Sequence, residues 1–290
     1  MAFPASSDLV LGPFTGGVTP TFDTPALREA LAGVADRLRA ADAQVLSRTG
    51  DLVVRVTLGG HDVVVKSFTP RGALRDAAAR RQGSPARRSW QHAIALRARG
   101  VGTPAPVAFL ERWANGRLAE SYYVSVYEAG RVGFREELIR LFRHDPTCWK
   151  LMNLLQVVAD AVRGLHDAGL RHGGVGNENV LLRATGDGAG GDVQFVDLNR
   201  ARIQDGPLAA ADRAFDVSRL YLPSDLLRVF KEMYFGQRPP VDFERIEQRL
   251  RRRFDWHSRS RAWRHPLRER ARARTRDPAT TYPPPEDIWI

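Results

Sequence analysis

Apolar positions in the first half of the chain switch between two periods. From Thr24 to about Ala40, Leu27, Leu31, Val34 and Leu38 recur at helical spacing behind Pro25, which predicts an amphipathic helix. Residues 44–48, LVVRVTL at 52–58 and HDVVVKSF at 61–68 read as strands. Gly59-Gly60 is a tight-hairpin signal, so the three form an antiparallel meander. An alanine-rich, basic helical stretch runs from about Arg71 to Arg99, broken at Gly83-Ser84-Pro85. Its second part presents Trp90, Ala93, Ile94 and Leu96 on one side, and Gly100 closes it. VAFLE, after Thr103-Pro104-Ala105-Pro106, and SYYVSVYEA at 121–129 read as further strands.

Beyond Gly130 the helical period dominates. Phe134–Phe142 reads as a short helix and Trp149–Ala168 as a long one. The long helix has Leu151, Leu154, Leu155, Val158, Val162 and Leu165 on one face and Gly169 as its C-cap. NVLLR and DVQFVDL are two short strands around a GDGAGG turn, and the rest is helical to about Arg276. The pattern therefore divides the chain into an N-terminal extension with one helix (1–43), a small sheet region (44–129), a mainly helical region (130–276) and a proline-rich extended tail (277–290). No repeat of 20–50 residues is visible.

Composition changes this picture in three ways. With 43% hydrophobic and 27% charged residues, the chain can bury a core and is not of a disordered class. Cys148 is the sole cysteine, which excludes an internal disulfide and a cysteine-rich metal site. The N-terminus shows no basic-then-apolar leader and no apolar run of spanning length occurs, so a cytoplasmic protein is expected. The net charge of +11 is local: between Arg245 and Arg276 thirteen arginines face Glu247, Asp255 and Glu269. Such a run is either a solvated helical face or a docking surface for an anionic glycolipid or membrane. Nucleic acid ranks third, because no recognition motif accompanies it. Lysine is confined to positions 66, 150 and 231, which makes each more informative.

Strands carrying one lysine, then a helix, two more strands and a helical region follow the order of an α+β, bilobal protein-kinase-like fold, with a small antiparallel-sheet N-lobe and a mainly helical C-lobe. Within it, Lys66 lies in VVVKSF, where an ammonium among valines is costly unless an anion meets it. The segment LHDAGLRHGGVGNENVLL from Leu165 and the segment VQFVDLNRARI resemble the catalytic and metal-binding segments of the Kdo kinase and lipopolysaccharide core heptose kinase family. ARRSWQHAIALRARGVGTPAPVAF resembles that family's small-lobe helix and following strand. The likeness covers roughly residues 44–235.

The resemblance implies ATP and Mg²⁺ as cofactors and phosphoryl transfer to a sugar hydroxyl of a lipopolysaccharide-like glycolipid, by a cytoplasmic protein peripheral to the inner membrane. It implies that Lys66 contacts the nucleotide phosphates, that Asn179 and Asp197 hold magnesium, and that His172 is a scaffold residue. Gly50 stands at the phosphate loop and Glu128 at the hinge that meets adenine. The chain departs from the expected pattern at two points: Gly174 occupies the position of the family's catalytic aspartate, and Ser89 the position at which many kinases carry a helix glutamate that pairs with the strand lysine. These departures keep a second reading open, a nucleotide-binding pseudokinase acting as regulator or scaffold. Each residue also has a plainer alternative. Lys66 could face solvent, Asp197 cap a turn, Glu128 end a strand, Glu178 sit on a solvent-facing turn, and Asp216 anchor the helical region. Glu178 and Asp216 are the carboxylates that could stand in for the missing base.

Overall fold

The computed structural model describes residues 7–48, 50–70, 72–145, 147–185 and 188–264. The 277–290 tail and the arginine run past 264 lie outside these residues. The chain divides into two compact units, one of residues 1–129 with 197–201, the other of 130–196 with 202–290.

The first unit is built on a seven-stranded antiparallel sheet. In chain order its elements are β1 (Ser7–Leu11), β2 (Phe14–Val18), α1 (Pro25–Ala32), α2 (Val34–Arg37), β3 (Gln44–Ser47), β4 (Leu52–Leu58), β5 (His61–Ser67), α3 (Ala73–Gln82), α4 (Pro85–Ala98), β6 (Pro106–Ala114) and β7 (Arg117–Val126). The sheet order is β1-β2-β6-β7-β5-β4-β3. Two helix starts, those of α1 and α4, have a local cause: Thr24 and Ser84 accept from the amides of Leu27 and Arg87, and Pro25 and Pro85 follow them.

Two expectations are corrected here. Residues 1–43 are not an extension ahead of the sheet. β1 and β2 are strands of it, and Leu9, Phe14, Val18, Leu27, Leu31 and Val34 share one core with Val56, Val63, Val65, Leu110 and Val124. Gly16 permits the join, because a Cβ there would stand 2.0 Å from the Phe109 carbonyl oxygen of β6. The helix expected from Thr24 to Ala40 is broken at Gly33 into α1 and α2. The meander does form, Val53 pairing with Lys66 and Leu58 with His61.

The second unit contains β8 (Arg131–Gly133), α5 (Phe134–His144), α6 (Trp149–Asp167), β9 (Leu170–Arg171), β10 (Val180–Thr185), β11 (Gly188–Phe195), β12 (Arg202–Ile203), α7 (Ala210–Val217), α8 (Ser224–Phe235) and α9 (Val241–Arg264). α6 buries the face its periodicity predicts, from Leu151 to Leu165. Gly169 follows it at φ 76°, with Gln204 and Gly206 carbonyl oxygens so near that a Cβ would lie 2.4 and 2.5 Å from them. The GDGAGG segment is not wholly a turn, since Gly188–Gly191 belong to β11.

Candidate functional site

Lys66 sits next to the end of β5. The valines around it, Val63 and Val65, are fully buried, and the lysine side chain keeps only 17% exposure. An ammonium in that setting requires a counter-charge. It receives two: an ion pair with the Asp197 carboxylate, and Asp51 Oδ2 at 3.8 Å. Asp51 is fixed by accepting from the Thr69 amide at 3.2 Å, and the Thr69 hydroxyl donates to the Gly50 carbonyl at 2.7 Å. Gly50 has φ 96° with open space around it, so the expected phosphate-loop position is a left-handed glycine at the start of β4. Sequence reasoning missed Asp51. Nothing in its spacing marks it, since it is defined only when the β4 and β5 ends are brought side by side.

Asp197 holds a left-handed conformation (φ 64°, ψ 46°), which costs a non-glycine residue about 1–2 kcal/mol. The turn after it, Leu198–Arg200, is gripped by α4. His92 Nδ1 bonds the Leu198 carbonyl at 2.8 Å, and Arg88 Nε donates to the Asn199 carbonyl at 2.9 Å. Burial pushes the Arg88 guanidinium below its ordinary pKa. Arg200 lies 3.6 Å from the second Asp197 oxygen. Many kinases carry on this helix a carboxylate for the strand lysine; here the helix holds the aspartate segment. Ser89, at the register of that carboxylate, is buried and donates to the Pro85 carbonyl within its own helix. Glu128, just past β7, is half-buried.

In the second unit the start of the segment 172–179 is held by Asp216 of α7. This carboxylate has no exposure and accepts from the amides of His172 at 2.6 Å and Gly173 at 2.9 Å, with His166 Nε2 at 3.3 Å. His166 Nδ1 meets the Tyr234 hydroxyl at 2.8 Å, and Arg213 donates to that hydroxyl at 3.1 Å. Burial pushes the Tyr234 phenol up to about 12. His172 is itself buried, with Nε2 on the Val196 carbonyl at 2.8 Å, which is a scaffold geometry. Asn177 Nδ2 donates to the Tyr221 carbonyl at 2.6 Å, and the Tyr221 amide donates to Asn177 Oδ1.

Asn179 spends its amide nitrogen on the Gly174 carbonyl at 2.8 Å, and its own carbonyl accepts from the Val196 amide. That bond orients the side chain and leaves the hard oxygen Oδ1 for a cation, a donor suited to Mg²⁺. No group of three or more His, Cys, Asp or Glu side chains poised for a metal occurs among the described residues. Magnesium at phosphates needs only one or two protein oxygens. Of the two carboxylates that could replace the base at Gly174, Asp216 is consumed by its three donors. Glu178 is exposed and folds back over Gly176, where a Cβ would meet its Oε2 at 2.8 Å.

An antiparallel sheet whose strand lysine pairs with an aspartate, followed in the chain by a helical unit with an anchored His-Gly segment and an oriented asparagine, defines a protein-kinase-like fold. The chain belongs to the Lipopolysaccharide kinase (Kdo/WaaP) family, whose model matches residues 73–229, just over half of it and including Asn179 and Asp197. A solved structure of WaaP in complex with acyl carrier protein is 25% identical, with a TM-score of 0.51 over 78% of this chain and 90% of that one. A choline/ethanolamine kinase family protein from Mesorhizobium loti is 15% identical, with a TM-score of 0.45 over 74% of this chain and 78% of that one. No curated protein sequence matches the chain.

Proposed function

We propose that this protein binds ATP with Mg²⁺ and transfers the terminal phosphoryl group to a sugar hydroxyl of a lipopolysaccharide-like glycolipid, slowly, because Gly174 stands where the base is expected. The Lys66–Asp197 ion pair carries the reading. It pairs the cation suited to nucleotide phosphates with the carboxylate suited to the metal. Asp197 and Asn179 are the proposed magnesium ligands, and the ion would neutralise charge on the phosphates. Lys66 would hold phosphate oxygens, and Gly50 would let backbone amides approach them. Positioning and electrostatics supply most phosphoryl-transfer catalysis, so loss of a base slows transfer by about 10²–10⁴ without abolishing it. A cytoplasmic site of action fits such a donor. Among the described residues no helix is long and apolar enough to cross a membrane.

A second reading, a nucleotide-binding pseudokinase acting as regulator or scaffold, is favoured by one observation. Asp216, one of the two carboxylates considered as a stand-in at Gly174, is engaged in holding the backbone of His172 and Gly173. A thermal shift with ATP and Mg²⁺, paired with γ-phosphate transfer to a core-oligosaccharide glycolipid, tests both. Stabilisation with measurable transfer, lost in Asp197→Ala, supports the kinase. Stabilisation without transfer supports the pseudokinase. Neither effect, with any acceptor, removes the nucleotide reading.

A further inference from the structure

The long helix α9 sorts its side chains by burial. Phe243 and Glu247 are buried, and Ile246, Leu250, Arg251 and Phe254 are half-buried. Arg245, Arg249, Arg252, Arg253 and Trp256 are exposed. At helical geometry these five fall within an arc of roughly 100° and along about 17 Å of axis.

The acids of the helix leave this stripe largely uncompensated. Glu247 takes Arg251 at 2.6 Å and Lys231 at 3.8 Å, and Glu244 takes Lys231 at 3.3 Å. Both are thus turned to the inner side of the helix. Asp242 lies 3.9 Å from Arg245, and Asp255, the fourth acid of the helix, is half-buried beside Trp256 in the chain. Arg249, Arg252 and Arg253 have no carboxylate partner among the described residues. Arg251 does not join the stripe, because its guanidinium donates to the Val217 and Leu220 carbonyls and clamps the helix down.

Trp256 closes the stripe with 68% exposure. A large apolar ring with one N–H donor, left in water beside a row of arginines, is the side-chain set that settles at a boundary between anionic headgroups and acyl chains. A straight, single-sided strip also matches a planar charged surface better than a grooved polyanion.

We propose that the outward face of α9 docks this protein onto an anionic lipid surface, the arginines on headgroup phosphates and Trp256 in the interface. The inference deepens the glycolipid reading and rests on it for the choice of lipid over nucleic acid. Each basic residue near an anionic surface multiplies binding about fivefold, and the effect weakens within a Debye length as salt rises.

The test is flotation of the full chain with phosphatidylcholine vesicles, with or without phosphatidylglycerol. Binding is expected only to the anionic vesicles and should fall with added salt. It should drop at least about tenfold in the triple variant Arg249→Gln/Arg252→Gln/Arg253→Gln, and also in Trp256→Ala. Unchanged binding of the triple variant overturns the proposal, as does tighter binding of the parent to single-stranded RNA than to the anionic vesicles. The ATP–Mg²⁺ thermal shift of each variant is read alongside and should equal the parent's. A missing shift in the parent with vesicle binding intact sinks the nucleotide reading and leaves the docking face standing; the reverse result does the opposite.

Discussion

Lys66 and Asp197, 131 positions apart, form an ion pair in which both side chains keep about a fifth or less of their exposure. Asp51 approaches the same ammonium from the neighbouring strand, at the same open end of the β4–β5 pair, at 3.8 Å. Lys66 reaches both carboxylates while Arg200 meets Asp197 at 3.6 Å, and this makes the arrangement asymmetric. Loss of the lysine leaves two like charges facing each other, whereas loss of one carboxylate leaves the other in place.

Lys66→Met is therefore expected to abolish the ATP–Mg²⁺ thermal shift and to destabilise the protein by about 1–3 kcal/mol. Adding Asp197→Asn should recover part of the stability and none of the nucleotide binding. Denaturant unfolding of the double-mutant cycle measures the first, and the thermal shift the second. A Lys66→Met protein that still responds to ATP and Mg²⁺ would remove Lys66 from the site.

Asp51→Asn tests whether the second carboxylate orients the lysine. The substitution keeps an acceptor for the Thr69 amide but removes the charge. We expect weaker ATP–Mg²⁺ stabilisation than in the parent, with little change in the melting temperature of the free protein. An undiminished ATP response would show that Asp197 alone holds Lys66 in position.

Asp216 accepts two backbone amides and a histidine without exposure to water, so Asp216→Ala leaves buried donors unpaired. The expected cost is about 2–5 kcal/mol, read as a lower midpoint in denaturant. A loss under about 1 kcal/mol would mean that the 172–174 backbone is held by other bonds.

Tyr234 makes the same network sensitive to alkali. Burial is the main cause that raises its phenol, and the hydrogen bond from Arg213 opposes it, giving about 12 against an ordinary value of 10. In the unfolded chain the phenol ionises near 10, so the unfolded state loses its proton first. The contribution of Tyr234 to stability is then whole below pH 10 and is lost as pH rises through the window between 10 and about 12. Tyr234→Phe should flatten that decline while costing about 1–3 kcal/mol near neutrality, because His166 Nδ1 loses its partner. Unfolding free energies at pH 8, 10 and 11 (about these values) check both signs.

The helices, the meander and the motif segments were legible because each rests on local signals. Leu151 to Leu165 predict the buried face of α6, and Gly59-Gly60 the β4–β5 hairpin. β1 and β2 were not legible, since Gly12, Pro13, Gly16 and Gly17 read as loop punctuation. In the folded chain Gly16 and Gly17 are small because β6 crowds them: Cβ atoms there would stand 2.0 Å from the Phe109 carbonyl oxygen and 2.8 Å from its ring. Asn115-Gly116, with φ 50° and 70°, did carry a readable hairpin signal that explains why β6 and β7 run to the turn. The grip of His92 and Arg88 on the Leu198–Arg200 turn uses carbonyl acceptors, which every residue possesses, so no spacing could reveal it. Lys66, Asn179 and Asp197 were named from motif register. Asp51 became visible only when the ends of the paired strands were placed side by side.

Gly174→Asp separates the two readings of function. The backbone at Gly173 is left-handed, with φ 81°, but Gly174 is not among the positive-φ glycines, so an aspartate there meets no left-handed backbone penalty. Its backbone carbonyl already accepts from the Asn179 side-chain amide, and the substitution keeps that acceptor. If the parent is a slow kinase, restoring a carboxylate should raise γ-phosphate transfer by about 10²–10⁴ and leave the ATP–Mg²⁺ thermal shift nearly unchanged, since a base contributes to the step and not to nucleotide binding. If the parent shows no transfer and the variant does, the chain is a pseudokinase whose remaining parts are intact. Should Gly174→Asp transfer no faster than the parent, the missing carboxylate is not what limits the reaction, and Glu178→Gln becomes decisive: a drop there would place the working base on the exposed side chain folded over Gly176.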